Sequence, residues 1–143
     1  MLYQDFVDSS QYLEYTYCIT QDVFDAFQKL SQDLNPLHTD ANFAKRMGFP
    51  DRVMYGNILN AFVSHFVGMV LPTQNVVILT QDIQFRKPVF MGDTILLKSE
   101  IQDTSEAVEI VNFKLKFYRT TNAEKSQLVA SGHVQVGLLH PQQ

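Results

Sequence analysis

Apolar and polar residues alternate along residues 12–19, the segment YLEYTYCI. Every second residue of an extended strand points to the same face, so the alternation predicts a β-strand. The two faces consist, in turn, of Tyr15, Tyr17 and Ile19, and of Glu14, Thr16 and Cys18.

Two helices are predicted after this strand. Thr20 can cap the first, in which apolar residues recur at helical spacing, namely Val23, Phe24, Phe27 and Leu30. Thr39 or Asp40 can cap a second, short helix that runs through Arg46. Gly48 follows and favours the end of that helix.

The longest helical pattern covers residues 52–72. Its apolar side consists of Met54, Ile58, Phe62, His65 and Met69. A neighbouring side is a ridge of small residues, consisting of Gly56, Asn60, Ser64 and Gly68. Such a ridge lets another backbone or a ligand approach closely.

Strand patterns fill the rest of the chain, over residues 76–86, 94–101, 107–118 and 126–139. The last turn is predicted at Asn122–Glu124, and a polar tail begins at about residue 140. Strands joined by short turns pair antiparallel. The order of elements predicts a single α+β domain over residues 1–143, in which a curved antiparallel sheet surrounds the long helix.

Composition narrows the classes of function. The chain has 143 residues, of which 45% are hydrophobic and 18% are charged, as in a globular domain. The net charge of −4 predicts no nucleic-acid partner and no membrane partner. Cys18 is the one cysteine, so an internal disulfide and a Cys-rich zinc site are excluded. No secretory signal pattern is visible at the N-terminus, so a cytoplasmic protein is expected.

The segment DLNPLHTD holds the first candidate site. Asp33 and His38 flank Asn35-Pro36, and the residue before a proline is held extended, which stiffens the loop. Both side chains can then converge on one point and polarise a water molecule. A plain turn with two exposed side chains is the alternative interpretation.

Metal binding is a third interpretation, with Asp33, His38 and Asp40 as possible zinc or iron ligands. A catalytic zinc site takes three protein ligands, often in a His-rich group. The pattern places the other histidines on the apolar side of a helix, on the polar face of the last strand and in the tail (His65, His133 and His140). We therefore predict no metal.

Two further segments are candidates for substrate binding. The free N–H groups at the start of the long helix can bind an oxyanion, and Gly56 would let a ligand carbonyl approach, although it could equally relieve crowding. Arg86 and Lys87 could hold phosphate groups or form a solvated surface pair.

Together these segments resemble the MaoC-like dehydratases, and within them the short (R)-specific enoyl-CoA hydratases. LSQDLNPLHTDANFAKRMGFPDRVMYG is similar to the hydratase motif, which contains D-x-N-P-x-H. QDIQFRKPVFMGDTI is similar to the family's strand that ends in a Pro-Val-x-x-Gly-Asp turn. The resemblance runs from about Val23 to Ile101 and extends over nearly the whole chain.

The resemblance implies a hot dog fold, normally a homodimer, that acts on acyl thioesters of coenzyme A or acyl carrier protein without a metal or redox cofactor. Asp33 and His38 match the catalytic pair, and Asn35 matches the residue that braces the site. The backbone N–H of Gly56 matches the group that binds the thioester oxygen, and Ser64 matches a helix serine that supports the loop.

Two residues depart from the family pattern. Tyr55 stands where His is common, and Asn57 stands where an apolar residue is common. Both lie beside the implied oxyanion site, so we expect them, with Arg86 and Lys87, to contact the substrate. The expected reaction is reversible addition of water to a trans-2-enoyl thioester. A thioesterase and a non-catalytic acyl-binding domain on the same fold are the alternatives.

Overall fold

A computed structural model of the chain describes residues 1–121 and 125–142. The helices are α1 (Tyr3–Ser9), α2 (Gln21–Ser31), α3 (Pro36–Thr39), α4 (Ala41–Arg46) and α5 (Ile58–His65), which continues into a π-helical turn (Phe66–Val70). The strands are β1 (Tyr12–Cys18), β2 (Val76–Phe85), β3 (Thr94–Ser105), β4 (Ile110–Thr121) and β5 (Lys125–Leu138), and a 3₁₀ turn (Glu106–Val108) precedes β4.

The five strands form one antiparallel sheet in the order β1-β3-β4-β5-β2. The register shifts once in three of the strand pairs, at Ile78/Thr80, Ile101/Asp103 and Phe117/Tyr118. Such bulges bend a strand and increase its twist, which lets a sheet curve around a helix. The turn predicted at Asn122–Glu124 lies outside the described residues.

The core lies between the sheet and α5. The buried side chains of the helix are Ile58, Leu59, Phe62 and Val63, and those of β3 and β4 include Ile95, Leu97, Val111, Phe113, Leu115 and Phe117. This helix covered by one antiparallel sheet is the arrangement of the hot dog fold. The predicted α+β class and hot dog architecture are therefore confirmed.

The long helix is shorter than predicted. Regular helix begins at Ile58 rather than near Arg52, because the N–H of Val53 donates to Leu37 and that of Met54 donates to Val89. His65, predicted on the apolar side, is exposed, and its Nδ1 lies 2.8 Å from the hydroxyl of Tyr17. Met69 is exposed as well, since it lies in the π-helical turn that follows.

Two other helices were not predicted. α1 buries Tyr3, Phe6 and Val7, but it has only seven residues and no side-chain cap. α3 lies inside the predicted loop, where the side chain of Asn35 caps it. The capping of α2 by Thr20 is confirmed, and Asp40 rather than Thr39 caps α4.

Candidate active site

The loop between α2 and α4 is shaped by its own side chains. Gln32 follows α2 as its C-cap and has a left-handed backbone conformation (φ 55°). The N–H of Asn35 donates to Oδ1 of Asp33 over 3.0 Å, and the N–H of Leu37 donates to Oδ1 of Asn35 over 2.9 Å. One carboxylate oxygen of Asp33 is therefore used by the turn, and Oδ2 is left for other partners. The side chain of Asn35 caps α3, which begins at Pro36.

His38 is oriented by the backbone of a distant segment. Its Nδ1 lies 2.7 Å from the carbonyl oxygen of Val53. A carbonyl only accepts hydrogen bonds, so Nδ1 carries the proton, and in the neutral ring Nε2 keeps its lone pair. Nε2 faces Oδ2 of Asp33 at 3.8 Å. The imidazole has an exposed fraction of 16% and the Asp33 side chain one of 46%, so solvent reaches the gap between them.

The distance of 3.8 Å is too long for a direct hydrogen bond between Asp33 and His38. Both facing atoms are acceptors when the histidine is neutral. A water molecule, which can donate two hydrogen bonds, matches such a pair of acceptors. The predicted convergence of the two side chains is therefore present in the structure.

Tyr55 lies beneath this pair. It is 2% exposed, its ring centroid lies 4.2 Å from that of His38, and its hydroxyl donates to the main-chain carbonyl of Asp33. We expected its side chain to contact the substrate. The burial and the engaged hydroxyl instead place it behind Asp33 and His38, away from the cleft lining, which corrects that expectation.

A cleft of about 420 Å³ opens beside His38. It is lined by Gly56, Asn57, Phe85, Arg86 and Lys87, among others. Within residues 1–121 and 125–142, the N–H groups of Gly56 and Asn57 donate no hydrogen bond. A methyl group added at Gly56 would lie 3.1 Å from the ring of Phe85, so only glycine leaves this wall of the cleft uncrowded.

Asn57 is held by a chain of amide groups. Nε2 of Gln81 on β2 donates to Oδ1 of Asn60, and Nδ2 of Asn60 donates to Oδ1 of Asn57 over 2.9 Å. The oxygen of Asn57 is used in this chain. Its Nδ2 has no acceptor in the part of the chain that the structure describes, and the residue lines the cleft.

Arg86 and Lys87 lie together at the wall of the cleft, and their binding of phosphate groups stays a prediction. The backbone N–H groups of both residues donate to the carbonyl of Val129, over 2.8 and 3.1 Å. The guanidinium of Arg86 donates to Ser131 and to Gln84. The side chains of the pair remain exposed and can reach a bound molecule.

Ser64 does not join the site. Its side chain is exposed on α5, and within the described residues it forms no hydrogen bond with the loop of Asp33 and His38. The expectation that it supports the loop is therefore not met in this chain. The exposed position of Ser64 on α5 explains why the expected contact with the loop is absent.

The remaining histidines lie apart from this pair. His133 pairs with Asp82 and His140 with Glu109 on the surface. Burial, with a smaller contribution from Tyr15, raises the pKa of the Tyr17 hydroxyl that contacts His65.

In residues 1–121 and 125–142, no three His, Cys, Asp or Glu side chains are grouped as metal ligands. That the reaction needs no metal stays a prediction.

None of the helices among the described residues is long and apolar enough to cross a membrane. The cytoplasmic location stays a prediction.

The chain is similar to proteins of known function and structure. The (R)-specific enoyl-CoA hydratase of Aeromonas caviae is 32% identical over 93 residues, which are 65% of this chain and 69% of that protein. The solved (R)-hydratase from A. caviae involved in PHA biosynthesis superposes with a TM-score of 0.79 at 28% identity, covering 91% of this chain and 96% of the other.

A mitochondrial 3-hydroxyacyl-[acyl-carrier-protein] dehydratase of Arabidopsis thaliana is 29% identical over 99 residues, which are 68% of this chain and 58% of that protein. The family profile described as "MaoC like domain" matches residues 4–126. The chain therefore belongs to the MaoC-like domain family.

Proposed function

We propose that this protein is a hydro-lyase that adds water reversibly to a trans-2-enoyl thioester and gives an (R)-3-hydroxyacyl thioester. The observation that carries the proposal is the pair of facing acceptors, Oδ2 of Asp33 and Nε2 of His38, beside the free N–H of Gly56. The names of the relatives, which act on enoyl-CoA or hydroxyacyl-carrier-protein substrates, support the substrate class.

The geometry accounts for each part of the reaction. Water held between Asp33 and His38 forms its O–C3 bond to the substrate as one of its protons passes to the pair. A proton is then returned to C2, so the pair ends as it began. Negative charge that develops on the thioester oxygen is stabilised by the N–H of Gly56, and one such donor is typically worth about 3 kcal/mol in the transition state. No step requires a metal or redox cofactor.

We assign substrate contacts to three further residues on the wall of the cleft. Nδ2 of Asn57 is a donor fixed by the amide chain from Gln81, so it can accompany Gly56 at the acyl oxygen. Arg86 and Lys87 present two positive charges that suit the phosphate groups of coenzyme A or of a carrier-protein pantetheine arm.

The test follows crotonyl-CoA with two readouts. Loss of the enoyl absorbance without thiol release, together with an (R)-3-hydroxy product, is the expected result. Thiol release detected by Ellman's reagent, with free crotonate as the product, would identify a thioesterase instead; cleavage of the thioester also removes the enoyl absorbance, so the thiol readout separates the two reactions. Acyl-CoA binding without turnover of enoyl thioesters of any chain length would identify a non-catalytic binding domain.

We also propose that the chain forms a homodimer through β2. This strand is at the end of the sheet order, so one side of its backbone has no strand partner among the described residues. Val77, Leu79 and Phe85 on it are 40%, 47% and 53% exposed. An edge that carries exposed apolar side chains is suited to pairing with another chain.

The double substitution of Val77→Lys and Leu79→Lys is expected to convert the proposed dimer into a monomer, because charges on an edge strand oppose edge-to-edge pairing. Light scattering after gel filtration measures the mass. The matched control is Tyr12→Lys, since Tyr12 is 78% exposed on β1, the opposite edge. A monomeric wild-type chain, or a double variant that stays dimeric, would contradict the assignment.

A further inference from the structure

We propose that Tyr55 is a positioning residue that fixes the distance between Asp33 and His38; the inference rests on the proposed hydratase function. The first observation is the direction of its hydroxyl bond. The carbonyl oxygen of Asp33 accepts only, so the Tyr55 O–H donates to it. The contact joins residues 22 positions apart in the chain and holds the backbone from which the Asp33 carboxylate projects.

The second observation is the position of the ring. Its centroid lies 4.2 Å from that of the His38 imidazole, with 34° between the two planes. The imidazole is tied on its other side by the bond from Nδ1 to the carbonyl of Val53, two residues before Tyr55. One short segment therefore holds the ring of His38 by a hydrogen bond and by ring contact. The same segment holds Asp33 by the tyrosine hydroxyl.

The third observation is that Tyr55 itself is immobilised. It is 2% exposed, and its ring packs on Phe24 and Phe27 of α2 at centroid distances of 5.4 and 4.9 Å. Nε2 of Gln28, on the same helix, donates to its hydroxyl over 3.3 Å. A side chain locked by packing and hydrogen bonding can hold other groups to the precision that catalysis requires.

These contacts explain how Asp33 and His38 keep a defined separation although the loop that holds them is half exposed. The Asp33 side chain is 46% exposed, and the bonds within its loop are local, spanning a few residues. Local turns set the shape of the loop but do not set its distance from the rest of the fold. The N–H of Val53 anchors the loop at Leu37, and the Tyr55 hydroxyl anchors it at the main chain of Asp33. The Tyr55 ring, in contact with His38, then links both members of the pair to one side chain.

The test is Tyr55→Phe, which removes the hydroxyl and keeps the ring. Misplacement of a catalytic group by about 1 Å can cost up to about 10²-fold, so we expect kcat for crotonyl-CoA to fall about tenfold. KM should stay within about twofold, because Tyr55 is buried behind the catalytic groups. Tyr12→Phe, at a residue that is 78% exposed, is the control and should change neither constant.

Hydrogen exchange supplies a readout that does not depend on turnover. The N–H groups of Asn35, Leu37 and His38 are bonded within the loop, and we expect them to exchange faster in Tyr55→Phe than in wild type. Unchanged exchange would overturn the proposal, and so would faster exchange with a wild-type kcat. A rise in KM with unchanged kcat would overturn it as well, since that result indicates substrate contact. If wild type hydrates no enoyl thioester, the proposed function fails, and the exchange comparison alone decides whether Tyr55 holds the loop.

Discussion

Asp33→Asn is expected to lower the turnover of crotonyl-CoA by at least roughly 10²-fold, the usual contribution of a general acid–base group. Asn keeps an oxygen that can accept the N–H of Asn35, so the turn is preserved. The group that faces Nε2 of His38 then changes from a carboxylate oxygen to the NH₂ of a neutral amide. The amide cannot take a proton from water, and its NH₂ can donate directly to Nε2 and displace that water.

His38→Ala is expected to cause a loss of the same size, because it removes the other acceptor that holds the water. Initial rates of loss of the enoyl absorbance measure both variants at saturating substrate. A circular-dichroism melt checks that each variant is folded, which matters for His38→Ala because the ring also contacts Tyr55.

Matched controls are available for both substitutions. Asp40→Asn makes the same chemical change in the same loop, and Asn is as good a helix cap as Asp, so α4 keeps its start. His133→Ala removes a histidine that pairs with Asp82 on the surface. Both controls should retain near wild-type turnover. Full activity in Asp33→Asn or in His38→Ala would remove that residue from the catalytic pair.

The sheet could be predicted because its signal is local. Apolar and polar residues alternate along each strand with a period of two residues. The predicted strands from residue 76 onwards therefore differ from the observed ones mainly at their ends. The pairing of Asp33 with His38 was also predictable, since Asn35-Pro36 and the short spacing restrict the loop. These features depend on neighbours in the sequence.

The support of the site could not be predicted, because it depends on contacts between distant segments. His38 is oriented by the carbonyl of Val53, and Asp33 is held by the hydroxyl of Tyr55. The spacing of residues 33–55 gives no sign of either bond. The start of α5 was misplaced for the same reason, since the N–H of Met54 pairs with Val89 rather than with its own helix. Tertiary hydrogen bonds outweighed helical propensity there.

The second large effect is expected for stability, at the turn before β3. Asp93 is 5% exposed, and its Oδ2 accepts the N–H of Phe90 over 2.7 Å, which closes the turn. Nε of Arg119 lies 2.5 Å from the same oxygen, so the two side chains form an ion pair. The guanidinium also lies 4.8 Å from the centre of the Phe90 ring. Gly92 at the turn has a φ of 86°, which favours glycine.

Asp93→Ala is therefore expected to lower the free energy of unfolding by about 3 kcal/mol, because it leaves the largely buried charge of Arg119 without its partner. Urea unfolding at fixed protein concentration measures the change. The control is Asp82→Ala, whose ion pair with His133 has exposed fractions of 60% and 46% and should contribute less than about 1 kcal/mol. Equal losses in the two variants would contradict the role assigned to Asp93.

Asp93→Asn separates the two functions of the carboxylate. Its amide oxygen can still accept the N–H of Phe90, so only the ionic contribution is lost, and we expect a loss of unfolding free energy smaller than that of Asp93→Ala.

The turn is also connected to the site, because the carbonyl of Val89 accepts the N–H of Met54, next to Tyr55. If the turn loosens before the domain unfolds, kcat of Asp93→Ala should fall at urea concentrations where its core is still folded. Parallel loss of activity and structure would show that the turn and the core unfold together.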